Sequence, residues 1–170
     1  MINSEVIFLN KSVELNYIGY VVSPFETLEN MPIQPTGELA AHGYIKINDD
    51  LVAGLKDLEE FSHLMVIYHL HEVKNTKLEV IPFLDDKPHG IFATRSPVRP
   101  NPIGFSIIEI EKVEGSKIYA NNLDMLNKTP VLDIKPYVPD FDLPKKDVKA
   151  GWFENAAGKV KTKKSDDRFL

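Results

Sequence analysis

The pattern of hydrophobic and polar positions divides the chain into several short strand-like runs and a single helical one. Residues 15–22 (LNYIGYVV) and 63–70 (HLMVIYHL) are rich in β-branched and aromatic residues, which predicts strands. Residues 104–113 (GFSIIEIEKV) set Ile108, Ile110 and Val113 against Glu109, Glu111 and Lys112, an alternation with one residue of slippage. The turn signal Glu114-Gly115-Ser116 leads into residues 117–123 (KIYANNL), which predicts a hairpin. Residues 38–47, 78–82 and 131–137 are further expected strands. In the helical run, Asp49 or Asp50 can cap a segment in which Leu51, Leu55, Leu58 and Phe61 form a stripe opposite Lys56, Asp57 and Glu59. That stripe is expected in the core.

Many short strands and about one good helix predict an antiparallel sheet closed into a barrel or sandwich. The repeated strand–helix alternation of a doubly wound fold is missing. Two stretches resist secondary structure: residues 23–37, with Pro24, Pro32 and Pro35, and residues 82–102, with five of the twelve prolines. Proline withholds a ladder donor and fixes φ, so both read as rigid, extended loops. Loops this long on a small domain are more often functional than random connections are. From about Leu143 the chain turns charged and includes KVKTKK at 159–164. The expected division is an N-terminal extension over 1–14, one domain over 15–142, and a peripheral appendage over 143–170 whose first half Trp152 and Phe153 anchor.

Composition narrows the function. The 170 residues suit one domain, and the absence of cysteine removes disulfides, zinc ribbons, iron–sulfur clusters and thiol nucleophiles. A start of MINSEVIFLN, acidic at Glu5 and without a basic region, makes a poor signal peptide. No apolar run approaches the roughly 20 residues of a membrane span. A cytoplasmic protein without a membrane partner is the expectation. With a net charge of −5, nucleic acid is not held by bulk charge, so any such binding rests on a local site.

The richest stretch is GIFATRSPVRPNPIG, residues 90–104. Arg95 and Arg99 stand four apart on a proline-stiffened loop, where a guanidinium loses less entropy on engaging a ligand. Arginine suits planar, bidentate contact with carboxylate or phosphate. Asn101, between two prolines, reads as an orientated amide. The competing reading pairs the arginines with acids such as Asp85 and Asp86, leaving the prolines to shape a turn.

The run GIFATRSPVRPNPIGFS resembles the signature of the TsaA/TrmO-like family, whose hallmark is RSP-x-RPNPIG. YIGYVVSPFET followed by MPIQP, then GLKDLEEFSHLMVIYHLHE, then LDMLNKTPVLDIKPYVP, extend the likeness in the same order over residues 15–142. The resemblance implies a mostly β fold, a small antiparallel β-barrel with one or two short helices and long proline-rich loops, acting as a homodimer. It implies S-adenosyl-L-methionine as cofactor and tRNA as partner: methylation of the exocyclic nitrogen of threonylcarbamoyladenosine beside the anticodon. The family's cofactor residues fall on Pro32, Ile33 and Gln34, His71 and Glu72, Arg95, Phe105, and Asp124, Met125, Leu126 and Asn127. Ile33 replaces the usual arginine, and Asn127 and Lys128 replace the commoner acid and glycine. The chain has no GxGxxG-type turn to seat a cofactor in a classical methyltransferase sheet.

Methyl transfer from a sulfonium is an in-line displacement, so the protein chiefly aligns donor and acceptor. Asp124 can accept from a ribose or an ammonium, an arginine can hold a carboxylate, and Met125 and Leu126 can line an adenine slot. The attacking nitrogen sheds a proton; the catalytic candidates are Arg95, His71, Asp133 and Tyr137, with Glu72 another possible proton acceptor. His69 and His71 share a strand face, the geometry of a metal pair, but no third ligand has a persuasive spacing and no metal is expected. His42 and His63 read as structural. Asp133 and Lys135 share a face and either act at the site or pair with each other. Arg99, Asn101, Lys135, Tyr137 and the C-terminal lysines are candidates for the RNA. The rival readings are a non-catalytic S-adenosylmethionine-binding barrel, a methyltransferase of this family with another substrate, and a metal-dependent hydrolase using His69, His71 and Glu72.

Overall fold

A computed structural model describes residues 12–29, 31, 41–144, 146–156 and 165. Its strands are β1 (Gly19–Val22), β2 (Ala41–Ile47), β3 (His63–His69), β4 (Glu79–Val80), β5 (His89–Gly90), β6 (Ile103–Glu114), β7 (Lys117–Leu123) and β8 (Pro130–Pro136). Six of them close an antiparallel barrel in the order β1-β2-β7-β6-β3-β8, with β8 returning to β1. Closure leaves no exposed edge on the main sheet. The strand period of two does the rest: Val21, Ile45, Leu64, Val66, Ile108, Ile118 and Val131 point inward and are fully buried. Each such aliphatic side chain contributes about 1.5–3 kcal/mol relative to exposure.

The predicted hairpin is present. Glu114 pairs with Lys117, and Gly115 takes φ 58° at the first turn position, where a two-residue hairpin turn favours glycine. The slipped alternation has a physical cause. Ile110 faces Ala120 but Lys112 faces Tyr119, so Glu111 is the extra residue of a β-bulge. The expected strand over 15–22 shortens to Gly19–Val22, and that over 78–82 shortens to β4. The proline-rich stretch is less bare than expected. It contributes β5, a 3-10 turn over Ile91–Ala93, and Ile91 and Val98, which form a small core with Val80 of β4.

The helix over 49–61 is corrected. The chain there forms two 3-10 turns, Asp49–Leu55 and Leu58–Glu60, broken by Asp57 in the left-handed region at φ 64°. Three residues per turn, and a left-handed break, rotate the stripe apart. Leu55 and Leu58 pack against the barrel core, whereas Leu51 and Phe61 are exposed. Among the described residues the one α-helical turn is α1 (Pro139–Asp142), which opens with Asp142 Oδ2 accepting from the Val138 N–H.

A left-handed non-glycine residue costs roughly 1–2 kcal/mol. Asp57→Gly is therefore expected to keep or raise the stability, and Asp57→Val to lower it by about that amount in urea unfolding.

Candidate functional site

One end of the barrel carries the polar chemistry. Here β3 and β7 finish, β6 and β8 begin, and β1 runs into the loop at Ser23. The signature run forms the separate loop after β5 and ends as β6, which aligns Gly104 with Tyr68 and Ser106 with Val66. Gly104 has a specific reason to be glycine: a Cβ there would lie 2.1 Å from the Tyr68 ring. The ring lies on that bare backbone and its hydroxyl reaches the Ser106 Oγ at 3.1 Å. Ser106 Oγ in turn donates to Asp124 Oδ1 at 2.7 Å.

Asp124 is brought there by a second irregularity. Ala41 faces Leu123 and Gly43 faces Ala120, so β7 carries an extra residue, with Asn122 left-handed at φ 62°. Asparagine tolerates that region. The kink delivers Asp124 to the barrel end, where burial pushes its carboxyl up to about 6. The Ser106 bond and the charge of Arg95 work in the opposite direction. Burial, then the neighbouring Asp124 carboxylate, push the Tyr68 phenol up, so it stays protonated. Tyr68 and Ser106 were not singled out in the sequence. Their signal was weak: a hydroxyl on the inward face of an apolar strand, which needs a partner when buried.

The wall beside Asp124 is two loops laced together. Ser23 Oγ donates to the Met125 carbonyl at 2.7 Å, the Asn127 N–H to the Phe25 carbonyl at 2.7 Å, and the Lys128 N–H to the Val21 carbonyl at 2.8 Å. Lys128 holds φ 65°, so the lysine adopts the backbone conformation that a glycine takes freely. Asn127 also has a role of its own, its amide donating to Glu26 Oε1 at 2.8 Å. Met125 belongs to the barrel core and Leu126 is buried beside it.

Arg95 is exposed on the signature loop and close enough to Asp124 and Tyr68 for its charge to act on both. Arg99 is held differently. Its Nη1 donates to the carbonyls of Thr94 at 2.7 Å and Ile91 at 3.2 Å, stapling the loop from within. For Arg99 the acid-pairing alternative is not what forms. Asp85 pairs with His89 at 2.9 Å, and that bond holds its carboxyl down to about 2. Asn101 lies exposed beyond it, its carbonyl accepting from the Ile103 N–H. The Phe92 ring is exposed on the same loop, with the Arg99 guanidinium 6.0 Å from its centroid. Trp152 reaches across from the C-terminal segment. Its Nε1 donates to the Ala93 carbonyl at 2.8 Å and its ring stacks on His89 at 4.8 Å.

His71 stands at the same barrel end with Glu72, its Nε2 3.5 Å from the carboxylate. His69 is engaged by Tyr17, whose hydroxyl lies 2.7 Å from Nδ1. Phe105 points outward from β6 and is exposed. Asp133 and Lys135 pair with each other at 2.6 Å on an exposed face of β8. Tyr137 is elsewhere: its N–H bonds the His63 carbonyl at the far end of β3, five residues from Tyr68. His63 bonds Ser62, and His42 is exposed near Glu111. Pro32, Ile33, Gln34 and the lysines of 159–164 lie outside the described residues.

Similarity to known proteins bears on this site. The model of the tRNA-methyltransferase O N-terminal domain matches residues 20–143. A probable S-adenosyl-L-methionine-binding protein of Pyrococcus abyssi is 41% identical over 153 residues, covering 90% of this chain and 83% of its own. The mouse tRNA (adenine(37)-N6)-methyltransferase is 40% identical over 134 residues, 75% of this chain but 31% of the mouse protein. The crystal structure of TrmO from Pseudomonas aeruginosa superposes with a TM-score of 0.69 at 33% identity, covering 84% of this chain and 63% of that one. The chain thus spans under two thirds of the length of those two relatives.

Two predictions follow from the geometry. Because the native state binds a proton at Asp124 more tightly than the unfolded chain does, that stabilisation is full below about pH 4 and lost as pH rises through about 6. Asp124→Asn is expected to add on the order of 2–3 kcal/mol at pH 8 and little at pH 4, read by urea unfolding. Asn127→Asp replaces a donor to Glu26 by a like charge, and is expected to cost about 1 kcal/mol at pH 7, recovered at pH 4.

Proposed function

The chain belongs to the tRNA-methyltransferase O N-terminal-domain family, and on that premise we propose that it binds S-adenosylmethionine at this barrel end and methylates tRNA. The observation that carries the reading is the enclosed Asp124 carboxyl at the barrel mouth, bonded by Ser106 and within reach of the charge of Arg95 on the signature loop. A carboxylate and a guanidinium at one mouth complement the ammonium and carboxylate of an amino-acid moiety. The laced loops of 23–26 and 124–129 supply backbone groups beside them for the nucleoside end. The names of the Pyrococcus and mouse relatives agree with cofactor and reaction class.

We assign the substrate as threonylcarbamoyladenosine next to the anticodon. The sulfonium supplies the methyl group, and the acceptor nitrogen loses a proton as the new bond forms. His71, at the mouth and beside Glu72, is the proton acceptor, and Arg95 the residue that fixes the cofactor's orientation. Pro32, Ile33, Gln34, Phe105, Met125, Leu126 and Asn127 complete the cofactor's surroundings. On the same loop, exposed Phe92 beneath the Arg99 guanidinium offers the aromatic and planar cation on which unstacked bases rest. Asn101 extends that RNA surface, and Lys135, beside Asp133 on β8, is a separate contact. The acting unit is a cytoplasmic homodimer, a state that sedimentation reports directly.

The test is methyl-labelled S-adenosylmethionine with total tRNA from a strain that makes threonylcarbamoyladenosine and one that does not. Label is expected only in the modified pool. Arg95→Ala is expected to lower turnover at least tenfold, the scale of one charge-assisted hydrogen bond. Cofactor binding without label in either pool overturns the tRNA assignment in favour of a binding-only barrel. Label in both pools indicates another nucleotide.

A further inference from the structure

Three polar groups, Tyr68, Ser106 and Asp124, form a connected chain at the edge of an otherwise aliphatic core. Its direction follows from hydrogen counting. An ionised carboxylate only accepts, so the single Ser106 hydroxyl hydrogen goes to Asp124 Oδ1, and Tyr68 must then donate to Ser106. Protonating Asp124 adds a donor to the carboxyl, so that order is no longer imposed. The groups facing Asp124 are Tyr68 from β3, Ser106 from β6 and Arg95 from the signature loop. On the side of the first loop, Ser23 bonds the Met125 carbonyl and Glu26 the Asn127 amide.

We propose that Tyr68 and Ser106 are positioning residues that hold the Asp124 carboxylate at the barrel mouth in the ionised, accepting form that takes a cationic ligand. This rests on the reading that the mouth binds S-adenosylmethionine. Geometry supplies the argument: the ring of Tyr68 is fixed by Gly104, its hydroxyl is fixed on Ser106, and Ser106 is 2% exposed. A carboxyl raised to about 6 agrees with it, because its ionisation then falls within the range a cell or a buffer reaches. The signature run thereby acts twice, through Arg95 directly and through Gly104 and Ser106 on Asp124.

The experiment is calorimetric titration of S-adenosylmethionine into the full chain from pH 5.0 to 7.5, where the ligand's ammonium stays largely charged. The wild type is expected to hold constant affinity at the upper end and to weaken about tenfold per pH unit below a midpoint near 6. Ser106→Ala removes the donor to the carboxylate and Tyr68→Phe the donor that orders Ser106, so each is expected to move the midpoint upward, by about half a unit or more for Ser106→Ala and less for Tyr68→Phe. Asp124→Asn is expected to bind weakly with no such midpoint. The ¹³C shift of the Asp124 carboxyl, followed with pH in the free proteins, is expected to show the same displacement without any ligand. Flat wild-type affinity across the range overturns the proposal. So does an unmoved carboxyl midpoint in both variants, the result of a merely structural role. Absence of binding by the wild type at pH 7.5 with a displaced carboxyl midpoint overturns the cofactor reading and leaves the positioning role standing.

Discussion

The ring of Tyr68 rests on the bare backbone of Gly104, and the arrangement of the barrel mouth depends on that contact. Any side chain at 104 would occupy the space of the ring, since even a Cβ falls 2.1 Å from it. With the ring seated, the phenol reaches Ser106, and Ser106 reaches Asp124. One glycine on β6 thereby governs a residue at the end of β7, through an aromatic side chain on β3. Barrel closure makes this possible by laying β6 between β3 and β7.

The same region shows stability given up for chemistry. A carboxylate enclosed at the edge of an apolar core costs the folded state free energy at neutral pH, which an amide there would not. Such groups persist where ionisation is useful. The neighbouring structure is correspondingly overdetermined. Arg99 staples the signature loop to its own carbonyls, Trp152 ties Ala93 to the C-terminal segment, and Val80, Ile91 and Val98 form a separate small core beneath. These restraints hold Arg95 on a rigid loop, which lowers the entropy lost when its guanidinium is engaged.

Two departures from the family pattern, at Asn127 and Lys128, leave the local structure intact. Lysine stands at 128 where glycine is commoner, yet the backbone keeps φ 65°, so the loop retains its shape against a steric cost. Asparagine at 127 replaces an acid and faces Glu26, where a second carboxylate would repel. Both substitutions leave the hydrogen bonds between the two loops in place.

The sequence by itself determined most of the barrel and the neighbourhood of the site. β-Branched and aromatic content located β3, alternation β6 and the turn signal β7, the one slipped residue marked the bulge at Glu111, and the signature run pointed to Arg95. Local pattern suffices there because strand period and turn chemistry act over a few residues. It failed over 49–61, where a left-handed Asp57 splits an apparently helical stripe, because a single backbone angle leaves the hydrophobic spacing unchanged. Tertiary structure alone decided which polar groups meet. It set Tyr137 at the far end of β3, paired Asp133 with Lys135, turned Arg99 onto its own loop, and joined Tyr68 and Ser106 to Asp124. The two links of the Tyr68–Ser106–Asp124 chain span 38 and 18 residues and exist only because strand order and register bring the elements together. A periodic pattern tells which face a side chain occupies; the partner across that face is set by the closure of the sheet.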